Sequence, residues 1–408
     1  MKKILILTES IDVNDSSGAK ANLGLIQNIK QIGHQVKVLH LDESFTEKPS
    51  FDAKAIGRYK SSTFFWLSKL NTFLKKFGIK LNKWVEPKLG FSFSHFEDVD
   101  RFKKALTKET PEDYDIILTC SKAASFRPHK AVLESPAWHN KWYAYIHDPY
   151  PMYAYPRPYD WAEPGSLQKR AFFLGVYAKA TKIVYPSQLL AEWMESYYPN
   201  NEHKRLVIPH QIINDLSSIE TDTLELPPFF DASNFNVLHA GSLMKQRPPF
   251  VLMKAFNKFL DQYPKAKENA KLIFIGGAFE GHQKEMSNLI NDNIINHDSY
   301  VQFKTVFQLQ KLASVNVVIE ADTWFSPFLP GKIPHLVVAD KPILHIGPTQ
   351  SETMRLLGED YDLHTPNNEE SIDILAKKIE SLYCSWKADK NLKLNRSDLK
   401  EYLSNFEL

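Results

Sequence analysis

The feature that most constrains the fold of this chain is a repeated alternation of short apolar runs with helical segments. Buried parallel strands read as nearly continuous apolar runs, and the connections between them are usually helices. The alternation occurs once in each half of the chain and predicts an α/β, doubly wound parallel sheet in each. The predicted strands are ILILT (4–8), HQVKVLHL from His34, DIILTC (115–120), WYAYIH (142–147), KIVYPS (182–187) and RLVIPH ending at His210, then NVLHAG (236–241), KLIFIGG (271–277), VQFKTV (301–306), NVVIEA (316–321) and KPILHIG (341–347).

Helical periodicity fills the segments between these runs. The principal predicted helices lie near residues 20–32, 167–180, 189–198, 248–262, 283–291, 332–338 and 369–386. Two Rossmann-like domains that face each other across a cleft are therefore predicted, joined near residues 208–230. The expected N-terminal domain covers 1–208, the C-terminal domain covers 209–386, and the last helix, within 387–408, is assigned back to the first domain.

Composition excludes several classes of protein. The chain has 408 residues, of which 43% are hydrophobic and 24% charged, which is ordinary for a globular protein. Its net charge of +2 gives no global field for binding nucleic acid. Cys120 and Cys384 are its two cysteines, and neither has the spacing of a metal or redox motif. A cytoplasmic location is expected.

The opening MKKILILTES is interpreted as a first strand because its apolar stretch is short and meets Glu9 and Asp12. No apolar run approaches the about 20 residues that span a bilayer.

One polarised segment, residues 54–85, combines eight Lys and Arg residues with six interleaved Phe and Trp residues and no acid. It predicts an amphipathic helical insertion of about 54–90. Either this segment packs on the first domain and leaves its lysines in solvent, or it contacts the inner face of an anionic cell membrane.

Two loops of the second half are candidate anion sites. HAGSLMKQRPP places Gly241 and Ser242 after a strand, and Lys245 and Arg247 before a helix. Such cations and a helix start suit phosphate oxygens. SPFLPGKIPHL follows the same logic, since Pro330 is suited to the first turn of a helix and Lys332 adds charge there.

In the first half, the predicted strand WYAYIH runs directly into HDPYPMYAYPRPYDW. His147 and Asp148 stand at its carboxyl end, where ligands of such sheets bind. The loop NDSSGAKANLG after the first strand is not GxGxxG, so a dinucleotide fingerprint is absent. Gly18 is instead expected to approach the acceptor or a phosphate.

No metal site is predicted. Three aspartate pairs have metal-like spacing, but none follows a strand into the predicted cleft: Asp98/Asp100, Asp113/Asp115 and Asp360/Asp362.

Together these residues resemble the retaining, GT-B-fold glycosyltransferases of family four, of the bacterial surface-polysaccharide type. The resemblance covers nearly the whole chain. It is carried by His147 with Asp148, KIVYPS, VIPH, HAGSLMKQRPP, LIFIGG and, most specifically, SPFLPGK followed by KPIL.

The resemblance implies a nucleotide-sugar donor on the second domain, a glycan or lipid-linked acceptor on the first, and no cofactor or metal. By this likeness Arg247, Lys245 and Lys332 neutralise the donor diphosphate. His147 lies near the transferred sugar. The likeness also implies that the loop of Phe328, Leu329 and Gly331 contacts the phosphate and the sugar. The backbone of Thr305 and Val306 is implied to contact the base.

The chain departs from the family at two positions. Two glutamates are common in such enzymes, and the corresponding residues here are Pro327 and His335. His335 can still hydrogen-bond a ribose hydroxyl, and Glu320 or Glu352 is a candidate replacement carboxylate.

Two further functions remain open beside a retaining transferase of cell-surface polysaccharide, glycolipid or glycoprotein biosynthesis. One is a catalytically silent homologue that binds a nucleotide-sugar or scaffolds a partner, suggested by the missing glutamates. The other is a different GT-B enzyme such as a nucleotide-sugar epimerase, or a two-lobed small-ligand binder.

Overall fold

The computed structural model describes residues 1–43, 49–213 and 225–408. The chain divides into two compact units. The first comprises Met1–Tyr155, Asp160–Ile213 and Asn405–Leu408, and the second comprises Pro156–Tyr159 and Asn214–Ser404. Residues 214–224, within the predicted joint at 208–230, lie outside the described residues.

The first unit is built on a seven-stranded parallel sheet. Its strands are β1 (Lys3–Thr8), β2 (Gln35–His40), β3 (Asp52–Ala55), β4 (Ile116–Cys120), β5 (Trp142–Tyr145), β6 (Lys182–Tyr185) and β7 (Arg205–Val207), in the order β3-β2-β1-β4-β5-β6-β7. Its helices are α1 (Ser17–Gln31), α2 (Thr63–Lys75), α3 (Asn82–Leu89), α4 (Phe93–Leu106), α5 (Arg127–Leu133), α6 (Ser166–Lys179) and α7 (Gln188–Tyr197).

The second unit repeats this plan with a six-stranded parallel sheet. Its strands are β8 (Phe235–Ala240), β9 (Ala270–Ile275), β10 (Ile294–His297), β11 (Val315–Ile319), β13 (Ile343–Ile346) and β15 (His364–Thr365), while β12 (Phe325–Ser326) pairs separately with β14 (Gln350–Ser351). Its helices are α8 (Phe250–Gln262), α9 (Gln283–Leu289), α10 (Phe303–Leu312), α11 (Ile333–Ala339), α12 (Glu352–Leu357), α13 (Ile372–Ala388) and α14 (Ser397–Tyr402).

Both faces of each sheet are buried, as the apolar runs predicted. On β1, Leu5 and Leu7 enter one apolar cluster, and Ile4 and Ile6 enter the cluster on the opposite face. The side chains of β9 divide in the same way between two clusters. Alternate residues of a strand point to opposite faces, so this division requires helices on both sides. The predicted doubly wound α/β class is confirmed.

The order of the strands locates the ligand-binding edge of each unit. The first sheet runs 3-2-1-4-5-6-7, and the second, with its own six strands numbered in chain order, runs 3-2-1-4-5-6. The chain therefore winds outward in two directions from one pair of central strands, β1 and β4 in the first unit and β8 and β11 in the second. Ligands of such sheets bind beyond the carboxyl ends of the strands at this switch point.

Two predicted elements are wrong. The run VQFKTV (301–306) was expected to be a strand, but Phe303–Leu312 is the helix α10. Its buried residues include Phe303 and Phe307, four positions apart, which is helical spacing. The third strand of the second sheet is the preceding segment, β10. In the first unit, Lys54 belongs to the edge strand β3, so the helical part of the predicted insertion starts only at Thr63.

The end of the chain is divided between the units. Helix α14, within the segment 387–408 that was assigned to the first domain, clusters with the second unit, and only Asn405–Leu408 cluster with the first.

Across the described residues, no helix is both long enough and apolar enough to cross a bilayer.

Gly24 allows α1 to pack closely on the chain that follows β7. A Cβ at this position would lie 2.5 Å from the carbonyl oxygen of Gln211. Gly24→Ala is therefore expected to lower the free energy of unfolding by about 1 to 3 kcal/mol, since backbone must move to make room. Chemical denaturation measures the change. Gly57→Ala is the matched control, because a Cβ there meets nothing within 4 Å; equal denaturation midpoints for the two variants would contradict the close packing.

Candidate functional site

In the second unit, the carboxyl end of β8 holds a lysine brought from a distant loop. Gly241, the first residue after β8, has φ +148°, a conformation that side chains other than glycine rarely adopt. A Cβ there would lie only 2.8 Å from Nζ of Lys332. Glycine is thus favoured here for two reasons: other residues rarely adopt this backbone angle, and a Cβ would collide with the ammonium group of Lys332.

A second cation, Arg247, belongs to the same cluster. His239, on β8, is buried beside both charges. Burial first, and then the charge of Lys332 with a smaller effect from Arg247, holds the pKa of His239 well below its usual range. The structure therefore brings Gly241, Arg247 and Lys332 together around a neutral imidazole, at the switch point of the sheet.

The guanidinium of Arg247 is oriented by an aromatic side chain. Its Nε donates to the hydroxyl oxygen of Tyr159 at 2.9 Å, and Tyr159 is itself buried. The ring of Tyr159 meets that of Phe328 edge-on, with centroids 5.6 Å apart. Arg247 is thus linked through one tyrosine to the loop that carries Lys332.

That loop is fixed at its first residue by Glu320, which directly follows β11. One carboxylate oxygen accepts from Ser326 Oγ, and the other accepts from His345 Nε2 at 2.9 Å and Thr353 Oγ1 at 2.6 Å. Burial alone would raise the pKa of Glu320, but these hydrogen bonds lower it below its usual value. Glu320 is therefore a buried carboxylate that holds Ser326, the start of SPFLPGK.

This arrangement corrects the expectation that Glu320 or Glu352 replaces a missing ligand-binding glutamate. Both oxygens of Glu320 are occupied, and its side chain is buried. Glu352 is fully buried and accepts from Nε and Nη2 of Arg355. Neither carboxylate is presented to a ligand.

The other predicted residues of this unit lie in two places. Ser242 and Lys245 are exposed on the loop after β8, and Gly331 is half-buried directly before Lys332. Phe328 and Leu329 bury their side chains. Ser242 and Lys245 thus lie on the loop of Arg247, and Phe328, Leu329 and Gly331 lie on the loop of Lys332. On the first of these loops Lys245 is exposed, whereas Arg247 bonds to the buried Tyr159.

The residues assigned to the base and ribose lie on the helix pair α10 and α11. His335 is buried on α11, with its ring 4.8 Å from that of Phe303. Thr305 and Val306 are on the first turns of α10 and not after a strand. The amide of Val306 donates to the carbonyl oxygen of Gln302 at 3.0 Å, so this N–H is used within the helix.

In the first unit, the strand-end histidine belongs to a buried polar network. His147 Nε2 lies 2.7 Å from Asn22 Oδ1, and its Nδ1 lies 3.2 Å from His210 Nε2. Asn22 Nδ2 donates to Thr8 Oγ1 and to the carbonyl of Ser121. Because Thr8 ends β1 and Ser121 follows β4, the network sits at the switch point of this sheet.

The hydrogen bonds fix the protonation of both rings. Asn22 uses its NH₂ group on Thr8 and Ser121, so its oxygen accepts from His147 Nε2–H. The Nδ1 of a neutral His147 then accepts from His210 Nε2–H. Burial, and then the rings of His210 and His129, hold the pKa of His147 well below its usual range, and burial lowers the pKa of His210 to about 4.

Two other predicted residues flank this network. Asp148 follows His147 and is half-buried. Gly18 lies in the first turn of α1, where a Cβ would approach Cα of Lys122 at 3.5 Å. Helix α1 is capped by Ser16, which accepts from the amide of Ala19.

Four residues of these networks were missed by sequence reasoning: Asn22, Tyr159, His210 and His239. One of them carried a usable signal, because His210 ends a predicted strand, whereas His239 lies within one. Asn22 lies 125 positions from His147, so only the folded chain joins them.

Two of the aspartates with metal-like spacing have structural partners. Asp98 pairs with Arg101 and Arg127, and Asp115 accepts from the amide of Lys3 at 2.7 Å. Within the described ranges, no group of three His, Cys, Asp or Glu side chains is arranged to hold a metal ion.

The fold recurs in solved structures of glycosyltransferases. A glycosyltransferase from Rickettsia africae superposes with a TM-score of 0.55 at 14% identity, covering 98% of this chain and 97% of that one. WaaG, a glycosyltransferase of lipopolysaccharide biosynthesis, gives 0.55 at 10% identity over 99% and 96%. A Burkholderia xenovorans α,α-trehalose-phosphate synthase in complex with glucose-6-phosphate gives 0.61 at 10% identity, also over 99% and 96%.

These structures define the class of fold. They are GT-B glycosyltransferases, and this chain has their two-domain α/β fold. No protein-family model matches the sequence. No curated protein matches it by sequence.

Proposed function

We propose that this chain is a retaining glycosyltransferase that moves a sugar from a nucleotide-sugar to a glycan, glycolipid or glycoprotein acceptor in cell-surface polysaccharide biosynthesis. One observation carries the proposal: Lys332 lies against Gly241 at the switch point of the second sheet, and the charges of Lys332 and Arg247 both act on the buried His239 beside it. A donor diphosphate is the ligand whose charge such a pair suits. The GT-B fold supports the same activity.

The proposed chemistry needs positively charged side chains beside the leaving group. As the bond from the sugar to the diphosphate breaks, negative charge builds on the departing oxygen. Arg247 and Lys332 would stabilise that charge from fixed positions. Tyr159 orients the guanidinium of Arg247, and the Glu320–Ser326 hydrogen bond holds the start of the loop that carries Lys332. Attack of the acceptor hydroxyl from the same face, with its proton passing to the departing diphosphate oxygen, would retain the anomeric configuration. Lys245, exposed on the same loop, would add long-range attraction for the donor.

The classes of donor and acceptor are supported by the related folds. One trehalose-6-phosphate structure from E. coli is bound with UDP-2-fluoro glucose, and WaaG acts in lipopolysaccharide biosynthesis. We further propose a cytoplasmic site of action, where Cys120 and Cys384, both free thiols, would stay reduced.

A catalytically silent homologue is the second candidate. Pro327 and His335 stand where related enzymes commonly carry glutamates, and Glu320 and Glu352 are occupied by other partners. Such a protein would bind the nucleotide-sugar through the same cations and would not turn it over.

Donor turnover in the presence of a chelator separates these functions. A thermal-shift screen of nucleoside diphosphates and nucleotide-sugars first identifies the donor, as a rise in melting temperature. Release of nucleoside diphosphate from that donor is then measured with excess EDTA and with added Mg²⁺ or Mn²⁺. We expect equal turnover in both, since Arg247 and Lys332 supply the charge.

Each other outcome has a definite meaning. Binding without turnover supports the silent homologue. Turnover that EDTA abolishes and Mg²⁺ restores contradicts the proposed use of the two side chains. An absence of any stabilising nucleotide contradicts both candidates.

A further inference from the structure

The first unit carries an apolar stripe on the outer side of α2. Trp66, Leu70, Phe73 and Phe77 are spaced by four, three and four residues, so they share one face of the helix and its continuation. Their exposed fractions are 64, 46, 56 and 67%, and Trp84 on α3 is 76% exposed. Large contiguous apolar patches are uncommon on monomeric soluble proteins and mark a binding surface.

This stripe lies on the side of α2 opposite to the packed one. The other side of α2 packs inward: Phe65 and Asn71 are buried, and Phe64 stacks on Phe96 of α4 with ring centroids 4.7 Å apart. The helix is also anchored by Ser62, which bonds to Asp100 of α4. The stripe is therefore a second apolar face, directed away from the core.

Cations border the stripe without neutralising acids. Lys69, Lys75, Lys76, Lys80 and Lys83 are all exposed, and the sequence contains no Asp or Glu from Lys54 to Val85. The ion pairs of the described part of the chain include none of these five lysines. Arg58 differs, since it is paired with the buried Glu97 at 2.7 Å.

We propose that this basic aromatic surface, formed by Trp66, Leu70, Phe73, Phe77, Trp84 and the five lysines, binds the surface of an anionic lipid bilayer. Helix α2 would lie in the plane of the headgroups, with its aromatic rings at the boundary of the acyl chains and the lysines on lipid phosphates. A second copy of the chain fits this surface poorly, because it would bring the same unneutralised lysines face to face. The inference goes beyond the transferase activity and does not depend on it.

Co-sedimentation with vesicles tests the proposal on the full chain. We expect binding to vesicles of equal parts phosphatidylglycerol and phosphatidylcholine, and little binding to phosphatidylcholine alone. Salt should weaken binding without abolishing it, because screening removes the attraction of the lysines but not the burial of the aromatic rings.

Two sets of substitutions separate the contributions. Lys75→Glu, Lys76→Glu, Lys80→Glu and Lys83→Glu together should lower partitioning at least about a hundredfold at low salt. The charge-matched control changes four exposed lysines of the second unit to Glu: Lys265, Lys284, Lys377 and Lys387.

Aromatic substitutions address the part that salt does not remove. Trp66→Ser, Phe77→Ser and Trp84→Ser should abolish the binding that persists at high salt. Ile290→Ser, Tyr300→Ser and Ile374→Ser, at exposed apolar positions of the second unit, should leave it unchanged. Circular dichroism and a melting curve confirm that each variant is folded.

Three results would overturn the inference. The first is equal sedimentation of the lysine variant and its control. The second is equal binding to neutral and anionic vesicles, or binding to neither. The third is a concentration-dependent dimer, or capture by an acidic protein, that the same substitutions remove while vesicle binding stays weak in the unmodified chain.

Discussion

Replacing Arg247 or Lys332 with alanine is expected to lower turnover at least about a hundredfold while the protein stays folded. Both cations border the carboxyl end of β8, and each would stabilise charge on the departing diphosphate. Removing one such contact costs about 2 to 4 kcal/mol of transition-state stabilisation. The measurement is the rate of nucleoside diphosphate release at saturating donor, with a melting curve for each variant.

Two further variants make this result specific. Lys265→Ala removes an exposed lysine of the same unit and should leave turnover unchanged. Tyr159→Phe removes only the hydroxyl that accepts from Arg247 Nε, so it should have a smaller effect than Arg247→Ala. If both alanine variants kept turnover near that of the unmodified chain, the diphosphate would have to be held by other groups.

The position of these cations could be predicted from the sequence because strand ends are encoded locally. NVLHAG and NVVIEA are apolar runs that stop at a polar or glycine residue, and in the structure β8 and β11 end at Ala240 and Ile319. Once the strands are placed, the fold directs the following loops to one edge of the sheet. The candidate residues on those loops then follow without knowledge of any side-chain contact.

The third strand of the second sheet could not be placed in this way. The run VQFKTV has apolar residues at 301, 303 and 306, a pattern that fits a strand at first and a helix once Phe307 is counted. The real strand, β10, is four residues long and ends in Asn296 and His297. A short edge strand with polar residues carries little periodic signal.

The networks behind the site depend on contacts between distant residues, which a single sequence does not reveal. Glu320 meets Thr353, 33 positions later, and this contact decides that the carboxylate is consumed in holding a loop. From the sequence alone the same glutamate was a reasonable replacement ligand. Its burial and its three partners, and not its position along the chain, remove that role.

The second large effect is expected at His147. We expect His147→Ala to lose at least about a hundredfold in transfer while it keeps the affinity of the chain for free nucleoside diphosphate. The imidazole lies at the switch point of the first sheet, whereas Arg247 and Lys332 belong to the second unit. A residue on the first unit that acts on the transferred sugar would contribute more to the stability of the transition state than to the affinity for the nucleotide. Turnover and calorimetric titration of the nucleotide measure the two quantities separately.

A control for stability is essential, because His147 is buried and bonded through both ring nitrogens. Its removal takes the His147 partner from Asn22 Oδ1 and from His210 Nε2, at a cost of about 1 to 3 kcal/mol for each group left unsatisfied. His129 is a matched control in the same unit: it is fully buried and bonded to the carbonyl oxygen of Tyr145 at 3.1 Å, and it lies within α5, where its described hydrogen bond goes to that backbone oxygen and not to His147, Asn22 or His210. His129→Ala should therefore lower the melting temperature without lowering transfer at a temperature where the chain is folded. Equal losses of transfer in the two variants would assign His147 to the core alone, and a parallel loss of nucleotide affinity in His147→Ala would move its role from the sugar to the donor.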